Sequence, residues 1–326
     1  MELVTHKKLY LVAGRSNRAL AEEIAVALGE TLGEPNLAEF ANGEIHCRFA
    51  ESIRGCDAFI IQSHANSEES SINDTLMEQL IMVDAARRAS AKRITAVCPH
   101  FAYARQDRKS SGREPITAKL VANMFAVAGA SRLISVDLHS GQIQGFFDGP
   151  VDHLTAMPVL VDYLRGLEGE LVIVSPDAGR VKVAERYANQ LDADLAIIHK
   201  RRSSTVFNTV EAKEVVGDVD GKVCVIVDDM IDTAGTICAA AEQLRRSGAS
   251  RVVAATTHAI LSGPALQRLG DSSIEKVVVT DTIPLPEGAD TGLIEVLSIA
   301  PLLARAIGAV FEDASVSEIF GGNNLT

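Results

Sequence analysis

Short apolar runs alternate along the chain with longer amphipathic stretches. The apolar runs are rich in valine, isoleucine and leucine, a composition typical of strands buried on both faces of a sheet. The amphipathic stretches place their apolar residues at helical spacing. Predicted strands cover residues 9–13, 45–49, 58–62, 94–98, 133–136, 171–174, 195–198, 223–227, 252–257 and 277–280. Predicted helices cover residues 19–28, 74–88, 116–128, 158–164, 181–191, 236–247 and 299–311.

This alternation predicts an α/β fold in which mainly parallel sheets are flanked by helices. A chain of 326 residues with 47% hydrophobic residues is long enough for two domains of about 150 residues each. Asp148, Gly149 and Pro150 form a natural boundary between them. We therefore predict one domain over residues 1–150, a second over residues 151–310, and a tail over residues 311–326 that packs back on the first domain.

Charge and cysteine content narrow the range of partners and compartments. The net charge of −12 argues against nucleic acid or an anionic membrane as a partner. No pair among the five cysteines has the Cys-x-x-Cys spacing of a zinc or redox motif, so we expect reduced, packed thiols. Neither a signal peptide nor an apolar run of membrane-spanning length is recognisable. We expect a cytoplasmic protein.

The stretch from residue 223 to residue 236 carries the strongest functional signal. Its apolar run is followed by Asp228 and Asp229, and then by a short loop that leads into a helix. Backbone N–H groups of such a loop and the helix N-terminus bind phosphate, while carboxylates at a strand end can accept hydrogen bonds from sugar hydroxyls. A sugar phosphate fits both halves. The alternative, that Asp232 or Thr233 merely caps the helix, leaves the paired carboxylates unexplained.

Other candidate residues follow other predicted strands. Four cations lie between Arg105 and Arg113, which indicates either a solvated loop or, at a strand end in an acidic protein, an anion site. Asp177 lies in a Pro/Gly turn, where it either caps a helix or binds a cation. The cations at residues 200–202 precede a polar stretch and suit a mobile loop that closes over a transferring phosphoryl group. The Asn-Gly pair at residues 42–43 predicts a hairpin turn.

Together these segments resemble those of the ribose-phosphate pyrophosphokinases, which synthesise phosphoribosyl diphosphate (PRPP). The stretch at residues 223–236 is also similar to the PRPP-binding motif of type I phosphoribosyltransferases. The remaining matches are Ala-Arg-Gln-Asp-Arg-Lys at residues 104–109, Asp-Leu-His-x-x-Gln-Ile-Gln-Gly-Phe-Phe at residues 137–147, Phe-x-Asn-Gly-Glu at residues 40–44 and Lys-x-Arg at residues 200–202. The resemblance covers nearly the whole chain. Asn42 stands where the family usually has Asp, and Arg180 stands where it often has Gly.

The resemblance implies two tandem domains of the type I phosphoribosyltransferase kind, with ATP bound on the side of the first and ribose 5-phosphate bound by the second. It assigns ATP binding to Phe40, Asn42, Gly43, Glu44, Arg105 and Gln106. It assigns ribose 5-phosphate binding to Arg202, Asp228, Asp229, Asp232, Thr233, Ala234, Gly235 and Thr236. It makes His139 and Asp177 ligands of Mg²⁺, and Lys200 and Arg202 catalytic. No role follows for Arg180, Arg201 or the loop at residues 63–73.

The resemblance also implies a homo-oligomer, a hexamer in relatives, with Mg²⁺ both free and bound to ATP. ADP is the implied allosteric inhibitor and inorganic phosphate the implied activator. Matches near the regulatory site of relatives are Ser52, Ile53, Arg54, Ser315, Val316 and Ser317. Two other functions stay open. An ordinary phosphoribosyltransferase would lack the Ala-Arg-Gln-Asp segment and the doubled length, and a non-catalytic regulatory homologue would lack catalytic-loop residues.

Overall fold

The computed structural model describes residues 7–67, 69–201, 212–290 and 292–320. In these ranges the strands are β1 (Leu9–Ala13), β2 (Leu32–Gly33), β3 (Pro35–Glu39), β4 (Ile45–Phe49), β5 (Asp57–Ile61), β6 (Arg93–Cys98), β7 (Arg132–Val136), β8 (Val151–Leu154), β9 (Leu171–Ser175), β10 (Asp194–Arg201), β11 (Ala212–Val216), β12 (Val223–Ile231), β13 (Arg251–Ala259), β14 (Lys276–Thr280) and β15 (Ile294–Leu297). The α-helices are α1 (Arg18–Leu28), α2 (Ile72–Arg88), α3 (Thr117–Ala128), α4 (Met157–Leu164), α5 (Val181–Leu191), α6 (Gly235–Arg246), α7 (Ala265–Gly270) and α8 (Ala300–Phe311).

The chain forms two compact units. The first contains Met1–Thr155, Thr282–Pro284 and Ser298–Thr326, and the second contains Ala156–Asp281 and Leu285–Leu297. The first unit runs past residue 150 because β8 pairs in parallel with β7 and so completes the first sheet. The last helix, α8, also belongs to the first unit, where it packs against α1.

The first unit is built on a six-stranded parallel sheet in the order β2-β1-β5-β6-β7-β8. Alternate residues of its strands, such as Val12, Ile60 and Ala96, form one core with apolar residues of α2 and α3. Strands β3 and β4 form a separate antiparallel hairpin, as the Asn-Gly pair predicts. The carboxyl ends of the parallel strands share one edge, where ligands of such sheets bind.

The second unit contains a seven-stranded sheet in the order β11-β10-β9-β12-β13-β14-β15. Every pair is parallel except β10 with the edge strand β11. Apolar residues of α6 and α7, including Ile237, Leu244 and Leu269, pack on one face, and α5 contacts β9, β10 and β12. The predicted fold class, mainly parallel sheets flanked by helices, is confirmed.

Several elements differ from the prediction. The sequence predicts no strand for β3 of the hairpin. It also predicts none for β2, β8, β11 or β15, which lie at sheet edges where half-exposed residues interrupt the apolar pattern. It also predicts a loop from residue 199, whereas β10 continues to Arg201 because β11 pairs with it. All five cysteines are free thiols. No helix in the described ranges has the length and apolar character needed to cross a membrane.

Candidate functional site

The loop of Asp232, Thr233 and Ala234, here called the phosphate loop, joins β12 to α6 at the carboxyl edge of the second sheet. Ala234 has φ of +59°, a left-handed conformation that residues with a side chain rarely adopt. The Ser262 N–H donates to the Asp232 carbonyl at 2.9 Å. The first N–H groups of α6 have no partner within their own helix and lie at the positive end of its dipole. The predicted order of strand, tight loop and helix is confirmed, and it has the geometry of an anion site.

Arg268, a cation that sequence reasoning missed, lies beside the phosphate loop. Its Nη1 donates to the Thr233 carbonyl at 2.9 Å, and a β-carbon added to Gly235 would lie 3.3 Å from the same atom. Arg268 therefore adds positive charge next to the N-terminus of α6. The sequence gives only a weak signal for Arg268. It is the only charged residue between Leu261 and Gly270, but it lies in a helix that periodicity does not reveal.

Asp228 and Asp229 lie within β12, which corrects the prediction that the strand ends at residue 227. The strand continues because β13 extends alongside it, with Ile231 paired to Ala259. On its other side, β12 pairs with β9 only as far as Ile226. Both carboxylates therefore lie where the β12–β13 ladder extends past the end of β9.

Arg180 pairs with both of these carboxylates. Its Nε lies 3.1 Å from Oδ1 of Asp228, and its Nη2 lies 2.5 Å from Oδ1 of Asp229. The Arg180 side chain is 17% exposed, so these ion pairs are largely shielded from solvent. No role for Arg180 follows from the sequence, because the position of a cation after the β9 turn does not reveal which later strand it reaches.

The environment of Asp228 favours its protonated form. Burial and the neighbouring negative charge of Asp229 raise the pKa of the Asp228 carboxyl, while the guanidinium of Arg180 opposes the rise. The Asp229 N–H also donates to Asp228 Oδ1 at 2.8 Å. Arg180 thus favours the ionised form of Asp228, whose oxygens can only accept hydrogen bonds.

Asp177 occupies the turn between β9 and α5. Its Oδ1 accepts the N–H groups of Gly179 at 2.8 Å and Arg180 at 3.2 Å, and the Ser175 hydroxyl donates to its carbonyl at 2.7 Å. The side chain therefore stabilises the turn that leads into α5, but it does not cap the helix, because both N–H groups precede the first helical residue, Val181. A carboxylate offers about four lone-pair sites, so this role is compatible with binding a cation.

The hairpin tip, residues 40–44, carries four of the residues predicted to bind ATP, namely Phe40, Asn42, Gly43 and Glu44. The Phe40 ring is 57% exposed and makes an edge contact with His46, with the ring centroids 5.9 Å apart. Asn42 Oδ1 accepts the Glu44 N–H at 3.2 Å, and Gly43 has φ of +86°. The oxygen of Asn42 thus shapes the turn, a role that an Asp oxygen would also fill.

Residues 105–113, here called the basic segment, and the loop that carries His139 meet at the carboxyl edge of the first sheet. Arg105 and Gln106 are exposed, and Thr117 donates its hydroxyl to Gln106 Oε1 at 2.6 Å. The next residue, Asp107, is 9% exposed and accepts from Gln142 Nε2 at 2.5 Å. This bond joins the basic segment to the short helix Gly141–Gly145, which follows His139.

His139 is half-buried in the turn that follows β7. Asp137 has φ of +38° and donates its N–H to the Leu154 carbonyl at 2.9 Å. The Leu138 N–H donates to Nε2 of His153 at 2.8 Å. The turn that carries His139 is therefore fixed by β8, which the sequence did not predict.

The predicted catalytic residues fall at the limit of the described chain. Lys200 lies in β10, where its backbone is paired with that of Lys213 in β11. Arg202 lies outside the described residues.

Several residues match the region near the regulatory site of relatives. Of these, Ile53 is buried and Arg54 is exposed, and the hydroxyls of Ser315 and Ser317 lie 2.8 Å apart.

Comparisons with known proteins cover both units. A family profile described as the N-terminal domain of ribose phosphate pyrophosphokinase matches residues 9–129. A profile described as the phosphoribosyl synthetase-associated domain matches residues 208–321.

Individual relatives match along almost their whole length. A ribose-phosphate pyrophosphokinase of Streptomyces avermitilis is 54% identical over 96% of this chain and 96% of its own. That of Corynebacterium efficiens is 53% identical over 98% of this chain and 97% of its own. The crystal structure of phosphoribosylpyrophosphate synthetase from Mycobacterium smegmatis is 51% identical and has a TM-score of 0.88, over 94% of this chain and 100% of that chain.

Proposed function

Because the chain belongs to the ribose-phosphate pyrophosphokinase family, we propose that it transfers the diphosphoryl group of ATP to ribose 5-phosphate, forming PRPP and AMP. The observation that carries this function is the length of the match, which includes 96% of both this chain and its Streptomyces relative. The regulatory alternative is not supported, because these full-length relatives bear the name of the enzyme.

The reaction is a single displacement at phosphorus. The C1 hydroxyl oxygen of ribose 5-phosphate forms a bond to the β-phosphorus of ATP, and the bond from that phosphorus to the oxygen bridging it to the α-phosphorus breaks. AMP leaves with the bridging oxygen, and the hydroxyl proton passes to solvent. Such a transfer depends mainly on positioning and on neutralising charge.

Ribose 5-phosphate binding is assigned to the second unit. The N–H groups of the phosphate loop, Gly235 and Thr236 receive the 5-phosphate, supported by the positive end of α6. Asp228 and Asp229 accept hydrogen bonds from the ribose hydroxyls, and the positive charge of Arg180 opposes the rise in the pKa of Asp228. The Arg268–Thr233 bond supports this assignment, since it fixes one loop carbonyl to a neighbouring cation.

ATP binding is assigned to the first unit. The exposed ring of Phe40 offers a face for the adenine base, and Asn42, Gly43 and Glu44 supply polar groups beside it. Arg105 and Gln106 are assigned to ATP as well. Their exposure at the carboxyl edge of the sheet supports that assignment, because this is the edge where parallel sheets bind ligands.

The residues assigned to Mg²⁺ fit that ion in part. Asp177 is a carboxylate held by two backbone N–H groups, and oxygen is the ligand that Mg²⁺ prefers. His139 provides a nitrogen, an uncommon ligand for so hard a cation. In the described part of the chain, no three His, Cys, Asp or Glu side chains form a metal cluster. Mg²⁺ is commonly held by one or two carboxylates together with substrate phosphates. When bound, it would neutralise charge on those phosphates.

Catalysis is assigned to Lys200 and Arg202, whose cations stabilise the charge of the transferring group.

The enzyme is proposed to be inhibited by ADP and activated by inorganic phosphate. Arg54 and Ser315–Ser317 are assigned to the region near the effector site. The proposed oligomer is a homo-hexamer. If Arg54→Ala leaves both effects unchanged, the effector assignment is wrong.

The deciding experiment mixes the purified protein with ATP, ribose 5-phosphate, Mg²⁺ and inorganic phosphate, and quantifies AMP and PRPP. We expect equal amounts of the two products, formed only when ribose 5-phosphate is present. A folded protein that forms no AMP under these conditions contradicts the function. Size-exclusion chromatography with light scattering, run on the same sample, tests the hexamer.

A further inference from the structure

Glu78 in α2 is a buried carboxylate that neither the fold nor the proposed reaction accounts for. Its side chain is 2% exposed, and burial of a charge requires compensating partners. Its Oε1 accepts the backbone N–H of Arg15 at 2.7 Å and Nε2 of Gln62 at 2.8 Å, while its Oε2 accepts Nε of Arg15 at 2.5 Å. Glu78 therefore fixes both the backbone and the guanidinium of Arg15.

Gln62 fixes the orientation of this carboxylate. Its Oε1 accepts the hydroxyl of Ser16 at 2.7 Å, so its amide nitrogen faces Glu78. The packing leaves no space for adjustment, because a β-carbon added to Gly14 would lie 2.5 Å from the Gln62 carboxamide. The loop after β1 is thus locked to the core around Glu78.

Arg15 extends from this anchor to the hairpin. Its Nη2 donates to Oε1 of Glu39 at 2.7 Å, and Glu39 is the last residue of β3, directly before Phe40. A planar guanidinium can bind two carboxylates at once in a defined geometry, whereas a lysine ammonium cannot. One side chain therefore connects a buried anchor to the first residue of the hairpin tip.

The tip of the hairpin stands apart from the core. Strands β3 and β4 pair only with each other, and their inner residues Leu37, Cys47 and Phe49 pack against the core. The tip itself is exposed. The Arg15–Glu39 bond lies at the junction between the packed base and the exposed tip.

We propose that the chain of contacts Glu78–Arg15–Glu39 positions the hairpin tip for ATP, which makes Arg15 and Glu39 positioning residues for nucleotide affinity. This role rests on the proposed function, specifically on the assignment of residues 40–44 to ATP. An isolated exposed ion pair contributes little, but a guanidinium already oriented by a buried carboxylate loses little further freedom when it binds Glu39.

The test compares Glu39→Gln, Arg15→Lys and the double variant with Phe40→Ala and with Arg18→Ala. Arg18 is a matched control, because its exposed ion pairs are with Glu22 and Glu34, which lie in the same unit and outside residues 39–44. The measurements are the Kd of Mg-ATP by calorimetry without ribose 5-phosphate, the KM of each substrate, and the Tm.

We expect Glu39→Gln and Arg15→Lys each to raise the Kd and KM for ATP by about tenfold, with the KM for ribose 5-phosphate and the Tm nearly unchanged. The double variant should be no weaker than the worse single one, since both break the same contact. Arg18→Ala should bind ATP like the wild type.

Other outcomes overturn the inference in distinguishable ways. If Phe40→Ala weakens ATP binding while both Glu39→Gln and Arg15→Lys bind normally, the positioning role is wrong and the ATP site stands. If Phe40→Ala binds ATP like the wild type, the assignment of the hairpin tip fails, and the positioning role fails with it. Equal changes in both KM values together with a lower Tm would indicate a purely structural role.

Discussion

The Nη2 atom of Arg180 lies 2.5 Å from Oδ1 of Asp229, a residue that is only 8% exposed. The same guanidinium reaches Asp228, so one fixed positive charge accompanies two adjacent carboxylates. Without it, the pair would be a local excess of negative charge beside a site proposed to bind a phosphorylated sugar.

Replacing Arg180 by Ala should therefore weaken ribose 5-phosphate binding. We expect the KM for ribose 5-phosphate to rise by about tenfold or more while the KM for ATP changes little. The free energy of unfolding should fall by about 2 kcal/mol, because two partly buried carboxylates lose their counter-ion. Steady-state kinetics measure the KM values, and urea unfolding measures the free energy of unfolding.

The matched control is Arg251→Ala, which removes an exposed pair with Glu275 in the same unit. If Arg180→Ala has an unchanged KM for ribose 5-phosphate, the role of Arg180 is contradicted.

Arg268 gives a second prediction for the same substrate. Arg268→Ala removes both the cation and the hydrogen bond to the Thr233 carbonyl, so kcat/KM for ribose 5-phosphate should fall by about tenfold. Arg268→Lys keeps the charge and should recover part of the loss. Equal losses in the two variants would assign the effect to the hydrogen-bond geometry alone, and no loss in either would remove Arg268 from the site.

The contrast between these arginines and the phosphate loop shows what the sequence can predict. Asp232 to Thr236 are adjacent in sequence, and their strand, loop and helix follow from local pattern. Arg268 is 35 positions from its partner Thr233, and Arg180 meets Asp229 through sheet order. Such pairs depend on which strands become neighbours, and strand order is a long-range property that periodicity does not encode. The edge strands were missed because half-exposed residues interrupt their apolar pattern.

Asp177 has two separable roles, which give a third prediction. Asp177→Asn keeps an oxygen for the N–H groups of Gly179 and Arg180 but removes the charge. We expect its Tm to be close to that of the wild type and the Mg²⁺ concentration for half-maximal activity to rise by about tenfold. Asp177→Ala should lower the Tm as well. A wild-type Mg²⁺ requirement in Asp177→Asn would leave only the turn-stabilising role.

Lys200 is proposed to act on the transition state, which gives a fourth prediction. Lys200→Ala should lower kcat by about a hundredfold or more and change the KM for ATP and ribose 5-phosphate far less, since an interaction made only in the transition state affects turnover. Arg201→Ala, the neighbouring cation without an assigned role, is the control. Near-normal turnover in Lys200→Ala would remove Lys200 from the mechanism.

The fifth prediction concerns stability and pH. His64 is fully buried; its Nδ1 accepts the Ala102 N–H at 3.0 Å, and its Nε2 lies 2.8 Å from Oε1 of Gln79. Because Nε2 of Gln79 donates to the Ile60 and Val97 carbonyls, Oε1 must accept, which fixes the neutral tautomer of His64. Burial lowers the pKa of His64 from 6.5 to about 3.

The unfolded chain therefore binds a proton at His64 between pH 6.5 and about 3 that the folded chain does not. In that window the group reduces the free energy of unfolding by about 1.4 kcal/mol per unit as the pH falls. Urea unfolding of the wild type and His64→Gln from pH 7 to pH 5 measures the difference in slope. We expect the variant to be less stable at pH 7 and to lose stability less steeply; parallel curves would show that His64 does not contribute.

The return of α8 to the first unit has a consequence for synthesis of the chain. When residue 155 has left the ribosome, every strand of the first sheet is present, but α1 still lacks the helix that packs against it. That helix emerges only after the entire second unit has been translated. The first unit thus begins to form before the second and is completed after it, and the α1 surface that α8 covers stays exposed on the nascent chain until then.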